Sequence, residues 1–265
     1  MNEIMRVALK ACAKASEVAE KVRNSGNLNL NFKGDFNLCT EADIEAERAI
    51  LKCIREKFPE HSILSEESDA DFHNKDLNGP LWIIDPIDGT TNFAHGHAHV
   101  GISIAFADRS EVQTAVVGAP FQNETFTAAK GGGAFMNDSK IKISAVEKIE
   151  LALVCTGFPY QRDNIEEIVN RLGRILRKCR DIRRLGAASL DICWLASGRL
   201  DVFYEDVNPW DIAAACLIAK EAGAVVDYFR ELPQKPALPL DIHGSGLAVS
   251  NKYLMPQVLE CIKID

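Results

Sequence analysis

Apolar residues recur at helical spacing from residue 4 to residue 23 (Ile4, Val7, Ala8, Ala11, Ala15, Val18, Val22). That period predicts an amphipathic helix with one face on a core, and Gly26 supplies its stop. Over 28–38 the period changes to two (Leu28, Leu30, Phe32), and Lys33-Gly34-Asp35 makes a turn, the pattern of a hairpin with a basic tip. Thr40 with Asp43 three residues on resembles a capping box. It opens a second helix that runs to Phe58, where Pro59 ends it. Short apolar runs at Ser62–Ser65 and 81–84 predict strands, as do the runs 100–107, 112–118 and 125–129. Gly131-Gly132-Gly133 marks a tight turn. Past residue 145 strands and helices alternate: strand 151–156, helices 164–179 and 187–197, strand 200–204, a nearly all-apolar helix 211–223, strand Leu247–Ser250 and helix 252–262. Helices on mixed sheets give a layered α/β fold of two halves, 1–145 and 146–265. No Pro/Gly-rich linker divides them, so they are expected to share an interface.

Composition narrows the class. The chain has 265 residues, 47% hydrophobic and 26% charged, which suits a globular protein with ample core. No run of 18 apolar residues occurs, so no membrane span is expected. Met1-Asn2-Glu3-Ile4 leads straight into the first helix without a basic and then apolar leader. The eight cysteines form no C-x-x-C pair and read as reduced thiols of a cytoplasmic protein. The formal charge of −8 makes the chain a poor non-specific binder of nucleic acid. It also means that a phosphate ligand needs cations to correct the local field.

The informative chemistry is carboxylate. In Leu81-Trp82-Ile83-Ile84-Asp85-Pro86-Ile87-Asp88-Gly89-Thr90-Thr91 an apolar strand ends in an Asp, Pro86 stops the ladder, and a second Asp follows. Two acids at a buried strand end repel each other and lose hydration, so they take up protons or destabilise the fold unless neutralised. A hard dication such as Mg²⁺, which takes oxygen ligands, resolves the conflict. The Ile87 carbonyl is a further oxygen donor, and the N–H groups from Gly89 to Thr91 suit a phosphate. Asp211, at the start of the buried helix after Pro209-Trp210, is the third candidate ligand. Of Glu66 and Glu67, Glu66 lies nearer the strand end and is the candidate site residue.

The stretch Trp82-Ile83-Ile84-Asp85-Pro86-Ile87-Asp88-Gly89-Thr90-Thr91-Asn92-Phe93 and the stretch Trp210-Asp211-Ile212-Ala213-Ala214 resemble motifs of the inositol monophosphatase family. Glu66-Glu67-Ser68, Gly132-Gly133-Ala134-Phe135 with Asn137, and Glu221-Ala222-Gly223 support the resemblance in the same order. It implies a sugar-phosphatase αβαβα sandwich, a homodimer, and Mg²⁺-dependent, lithium-sensitive hydrolysis of inositol-1-phosphate or a similar phosphomonoester by in-line attack of a metal-activated water. Two or three Mg²⁺ ions are implied. The first is held by Glu66, Asp85 and the Ile87 carbonyl, the second by Asp85, Asp88 and Asp211, and a weaker third lies near Glu66. The resemblance gives Thr90, paired with Asp43, the orientation of the attacking water. It puts backbone groups of Gly89 and Thr90 on the phosphate, and Lys33 in a mobile hairpin above them. Gly186, Ala187 and Ala188 would flank the substrate alcohol, with Ala187 standing where the family carries a hydroxyl residue. Glu205 matches an acid that binds ring hydroxyls, but the loop to Trp210 is shorter than the common pattern and leaves Asp206 as the alternative. Ala215 replaces a usual glycine.

Histidinol-phosphate, fructose-1,6-bisphosphate and 3′-phosphoadenosine phosphatases are rival activities, and Thr91 argues against the last because those enzymes tend to carry a lysine there. A rival of another class is contact with RNA or a protein partner through a basic helix with Arg171, Arg174, Arg177, Lys178, Arg180, Arg183 and Arg184 across 171–184. The resemblance extends this to a role with the transcription machinery, which some bacterial members of the family have. Three weaker patterns read as structural or accidental. Alternation puts His95, His97 and His99 on one face of a strand. Cys193 and Arg199 have the spacing of a cysteine-phosphatase loop but lie in an apolar helical pattern. Asp69-x-Asp71 has an aspartyl-phosphate spacing without a leading strand.

Overall fold

The computed structural model of the chain describes residues 2–26, 31–32, 38–68, 79–159, 165–231 and 242–263. Helix α1 (Glu3–Ser25) is capped by the Asn2 side chain, which accepts from the Met5 N–H, and closes at Gly26 with φ 71°. Strands β1 (Asn31–Phe32) and β2 (Leu38–Cys39) pair antiparallel as the arms of the expected hairpin. Its tip, with Lys33, lies outside the described residues. The capping box of Thr40 and Asp43 opens α2 (Glu41–Arg55) as expected. The helix stops three residues before Phe58, because Lys57 N and Phe58 N both turn back to the Ile54 carbonyl.

The larger sheet contains β3 (Ser62–Ser65), β4 (Leu81–Asp88), β5 (Gly101–Asp108), β6 (Glu111–Ala119), β7 (Glu124–Ala129), β8 (Gly133–Met136) and β9 (Ser139–Lys140), hydrogen-bonded in that order. Strand β3 runs parallel to β4 and the other pairs are antiparallel. Pro86 does not end β4. Asp85 pairs with Ser103 and Asp88 with Gly101, and the register shifts between them. The shift absorbs the residue that lacks an N–H as a bulge and lets the strand continue. The short helix α3 (Thr90–Ala94) follows.

In the second half, a 3₁₀ turn at Ile149–Leu151 delays β10 to Leu153–Thr156. Helix α4 (Ile165–Leu176) is followed by β11 (Asp181–Arg183), α5 (Ala188–Ala196), β12 (Val202–Glu205), α6 (Pro209–Glu221), β13 (Val225–Tyr228), β14 (Leu247–Ser250) and α7 (Leu254–Ile262). The smaller sheet has the order β11-β10-β12-β14-β13 and is also mixed. The expected basic helix over 171–184 is corrected. Helix α4 ends at Leu176, so Arg177, Lys178 and Arg180 lie in the following turn and Arg183 on β11. Arg171 is buried and donates to the Ile262 carbonyl and to Glu167.

Three apolar clusters define the layers. Helices α1 and α2 cover one face of the larger sheet through Ala11, Ile50, Trp82 and Ile104. Helices α5 and α6 fill the space between the two sheets through Leu190, Ile192, Ala214 and Ile218, against Ile83 and Val117 on one side and Phe203 and Val249 on the other. Helices α4 and α7 cover the outer face of the smaller sheet through Ile175, Leu254 and Val258. The result is the expected αβαβα sandwich, a layered α/β fold. No helix among the described residues is long and apolar enough to cross a membrane.

Candidate metal centre

The bulge in β4 and the starts of α5 and α6 converge where the larger sheet meets the middle helices. One carboxylate oxygen from each of Asp85, Asp88 and Asp211 lies within 4.8 Å of the others, with Asp85 and Asp88 buried and Asp211 partly exposed. Asp85 and Asp211 are held by local backbone. Asp85 Oδ1 accepts from the Ile87 N–H at 3.0 Å, an Asx turn across Pro86. Asp211 caps α6 by accepting from the Asn208 N–H at 2.8 Å. The start of α6 is in turn tied to β5 by the Ser103 hydroxyl, which donates to the Trp210 carbonyl at 2.9 Å. Asp88 takes its donors from the far side: Ala188 N–H on Oδ1 at 3.2 Å, and Ser189 N–H and Oγ on Oδ2 at 2.7 and 2.5 Å.

Without a counter-charge the cluster holds protons. Burial, then Glu66, Asp88 and Asp211, push the Asp85 carboxyl well above the usual carboxylate range. Burial, Asp88 and Glu66 do the same to Asp211. Burial raises Asp88 to about 6 against the two hydrogen bonds from Ser189. An oxygen-only donor set with surplus negative charge fits a hard dication such as Mg²⁺. Glu66, half-buried beside the end of β3, acts on the same charges, its own N–H bonded to the Ile84 carbonyl. Glu67 turns toward β2 and accepts from the Cys39 thiol at 3.3 Å.

Thr90 joins the cluster to α2. Its hydroxyl lies 3.0 Å from Asp43 Oδ1 and 3.1 Å from the Ile87 carbonyl oxygen. Asp43 Oδ2 accepts from the Thr40 N–H at 2.8 Å and the Thr40 hydroxyl at 2.5 Å, and burial still lifts Asp43 to about 6. Gly89 has φ 89°, and a Cβ there would meet the Gly186 carbonyl at 3.0 Å. The positive φ and the close approach both require glycine. Its neighbouring helix α3 has no side-chain cap. The loop before α5 is fastened to this turn by Asn92, whose Nδ2 donates to the carbonyls of Leu185 and His99 at 2.7 and 2.8 Å.

The two acids after β12 have separate surroundings. Asp206 accepts from Arg230 Nε and Nη2, both at 3.0 Å, and from the Gly246 N–H at 2.8 Å. The Glu205 carboxylate lies over Gly157, where a Cβ would come within 2.0 Å of Oε2. Burial drives Glu205 well above its ordinary range; Arg184 opposes this, and Asp191, Asp211 and Asp88 add to it. Glu205 is thus buried over Gly157 and feels the charge of the carboxylate centre, while Asp206 is occupied by Arg230.

The histidines do not share a strand face. His95 ends α3 and His97 follows it, both exposed, while His99 is buried with Nε2 at 2.7 Å from Asp191 Oδ1. Cys193 is buried inside α5 with its thiol pushed well up by burial, and Arg199 forks onto Glu124 at 2.7 and 2.8 Å. The Asp69-x-Asp71 pattern lies outside the described residues. Sequence reasoning missed Ser189 and the His99–Asp191 pair. Their partners are about 90 to 100 residues away along the chain, so no local signal marks them.

Residues 1–263 match the inositol monophosphatase family. The Nus factor SuhB of Vibrio cholerae is 38% identical over 232 residues, covering 86% of each chain. Among solved structures, the extragenic suppressor protein suhB of Bartonella henselae superposes with a TM-score of 0.88 at 29% identity over 99% of both chains. An IMPase of Thermotoga maritima gives 0.86 at 33% identity, over 98% of this chain and 97% of its own.

Proposed function

This chain belongs to the inositol monophosphatase family, and from that premise we propose that it hydrolyses inositol-1-phosphate or a similar small polyol phosphate in the presence of Mg²⁺. The observation that carries the reading is the meeting of Asp85, Asp88 and Asp211 oxygens within 4.8 Å. In this reading those three carboxylates, with Glu66 and the Ile87 carbonyl, hold two or three dications. When bound, the cations supply Lewis acidity that favours deprotonation of the attacking water and offset charge on the phosphate and the departing oxygen.

The chain's own groups orient and exclude. Thr90 directs its proton to Asp43 Oδ1. Its oxygen lone pairs then face an incoming water, with Asp43 held in place by the Thr40 N–H and hydroxyl. The N–H groups of Gly89 and Thr90 receive phosphate oxygens. Glu205 accepts from substrate hydroxyls, and Gly186 and Ala188 flank them, with the Ala188 N–H kept on Asp88. A new P–O bond forms to water as the ester P–O bond breaks, and a proton passes to the departing alcohol oxygen.

Phosphate release from a panel of inositol, histidinol, fructose and adenosine phosphates tests this directly. Turnover is expected with Mg²⁺, strongest on a polyol monophosphate, lost in EDTA, inhibited by millimolar Li⁺ and abolished in Asp211→Asn. Normal turnover in that variant removes Asp211 from the site, and no turnover on any ester overturns the reading.

The exposed apolar row on α4, with Ile165 at 49%, Val169 at 55% and Leu176 at 54%, supports the homodimer in the same reading. Sedimentation at twice the chain mass is the expected result. A second reading, contact with the transcription machinery, is supported by the Nus factor relatives. Its candidate contacts are the exposed cations Arg177, Arg180 and Arg184. Retained binding of RNA or RNA polymerase in Asp211→Asn would separate it from the phosphatase.

A further inference from the structure

Helix α5 starts without a cap of its own. Its N-cap residue is Ala187, which has no side-chain acceptor for the first N–H groups. Asp88 supplies that acceptor from another element, receiving the Ala188 and Ser189 N–H groups. The same carboxylate also belongs to the cluster with Asp85 and Asp211. One group thus has two tasks: capping a helix and facing a dication.

Ser189 decides how the two oxygens are divided. Ser189 is the second residue of α5, so no earlier helical carbonyl stands four residues back to take its hydroxyl. The Ser189 hydroxyl is fully buried and lies 2.5 Å from Asp88 Oδ2, which already accepts the Ser189 N–H at 2.7 Å. Oδ2 is therefore committed to α5. Oδ1 has a single longer bond, 3.2 Å from Ala188 N.

The position is built to hold this hydroxyl. Gly101 is the β5 residue paired with Asp88 across the ladder. A Cβ on Gly101 would sit 2.6 Å from Ser189 Oγ and 3.4 Å from Asp88 Oδ2. A hydroxyl at 189 and an absent side chain at 101 are thus complementary. We propose that Ser189 is a positioning residue for the cation centre: its hydroxyl, seated in the gap left by Gly101, pins Asp88 Oδ2 and keeps Oδ1 turned to Asp85 and Asp211. This rests on the dication reading given above. Partners that orient a ligand carboxylate set metal affinity as well as geometry.

Titration calorimetry with Mn²⁺ alone tests it, on the wild type, Ser189→Ala, Gly101→Ala and the double variant, with melting of the EDTA-treated proteins as the control for folding. Ser189→Ala is expected to weaken one class of Mn²⁺ site about tenfold, the lower end of what such partners carry. Gly101→Ala, which displaces the hydroxyl sterically, is expected to do at least as much. The double variant should bind no more weakly than Gly101→Ala, because both changes remove the same contact. Ser189→Ala deletes one buried atom and leaves both backbone bonds to Asp88; if it does not fold, Gly101→Ala alone decides. A lowered melting temperature with Mn²⁺ affinity unchanged within twofold reduces Ser189 to a helix-capping role and overturns the proposal. Additive losses in the double variant overturn it too. A wild type that binds no Mn²⁺ at millimolar concentration removes the dication reading itself, whereas normal wild-type binding with indifferent variants removes only the role of Ser189.

Discussion

Asp88 shows how a single side chain carries obligations from opposite directions: α5 needs it as an acceptor and the cluster supplies it with like-charged neighbours. Glu205 shows a related dependence, since its carboxylate occupies the space over Gly157. Gly157→Ala should push that carboxylate aside, raising KM for a polyol phosphate about tenfold or more while leaving Mn²⁺ affinity unchanged; steady-state kinetics with calorimetry on one preparation checks both halves. At this scale the sequence was readable where chemistry conflicts with location. Asp85 and Asp88 stand out because acids do not belong at the end of an apolar strand. Ser189 and Gly157 do not stand out, because a small residue becomes informative only when the distant group it accommodates is known.

Elements were legible to the extent that period and punctuation agree. Gly26 closes α1 as its position suggests, and Thr40 with Asp43 opens α2; the Asn2 cap of α1 was not read. The bulge after Asp85 was not legible, because Pro86 removes a donor whether the strand stops or steps around it, and only pairing with β5 decides. Strands β8, β9, β11 and β13 have two to four residues each and carry too few positions to show a period. The link between elements that matters most for the site is Asn92, which ties α3 to the loop before α5. Asn92→Ala leaves two carbonyls without that donor. It should cost about 1–3 kcal/mol of stability, measured by urea unfolding, and lower kcat/KM by loosening the approach of Gly186 to Gly89.

For the whole molecule, the raised carboxyls make stability depend on pH in a defined direction. An acid whose folded pKa exceeds its unfolded value binds more protons in the native state, so stability falls as pH rises between the two. Asp43 and Asp88, ordinarily at 3.8, are both lifted to about 6, and burial with like charges raises Asp85 and Asp211 well above the usual carboxylate range. In EDTA the melting temperature should therefore fall by several degrees from pH 5 to pH 7.5, and Mg²⁺ should cancel or reverse the trend; a flat profile without metal would contradict the clustering. A layered α/β fold was readable from the alternation of helices and strands, whereas the five-layer order was implied only by the family resemblance. The placing of α5 and α6 between the sheets was foreshadowed by the apolar, all-round character of 211–223.

That middle layer has a mechanical consequence. Asp85 and Asp88 ride on the larger sheet, while Asp211 and the donors to Asp88 ride on the helices wedged against the smaller one. The carboxylate centre is therefore a clasp across the seam of the molecule. Filled, it draws the two slabs together; emptied, it leaves buried acids that must either hold protons or repel one another at the joint, so chelation should ease protease entry there before the outer helices give way.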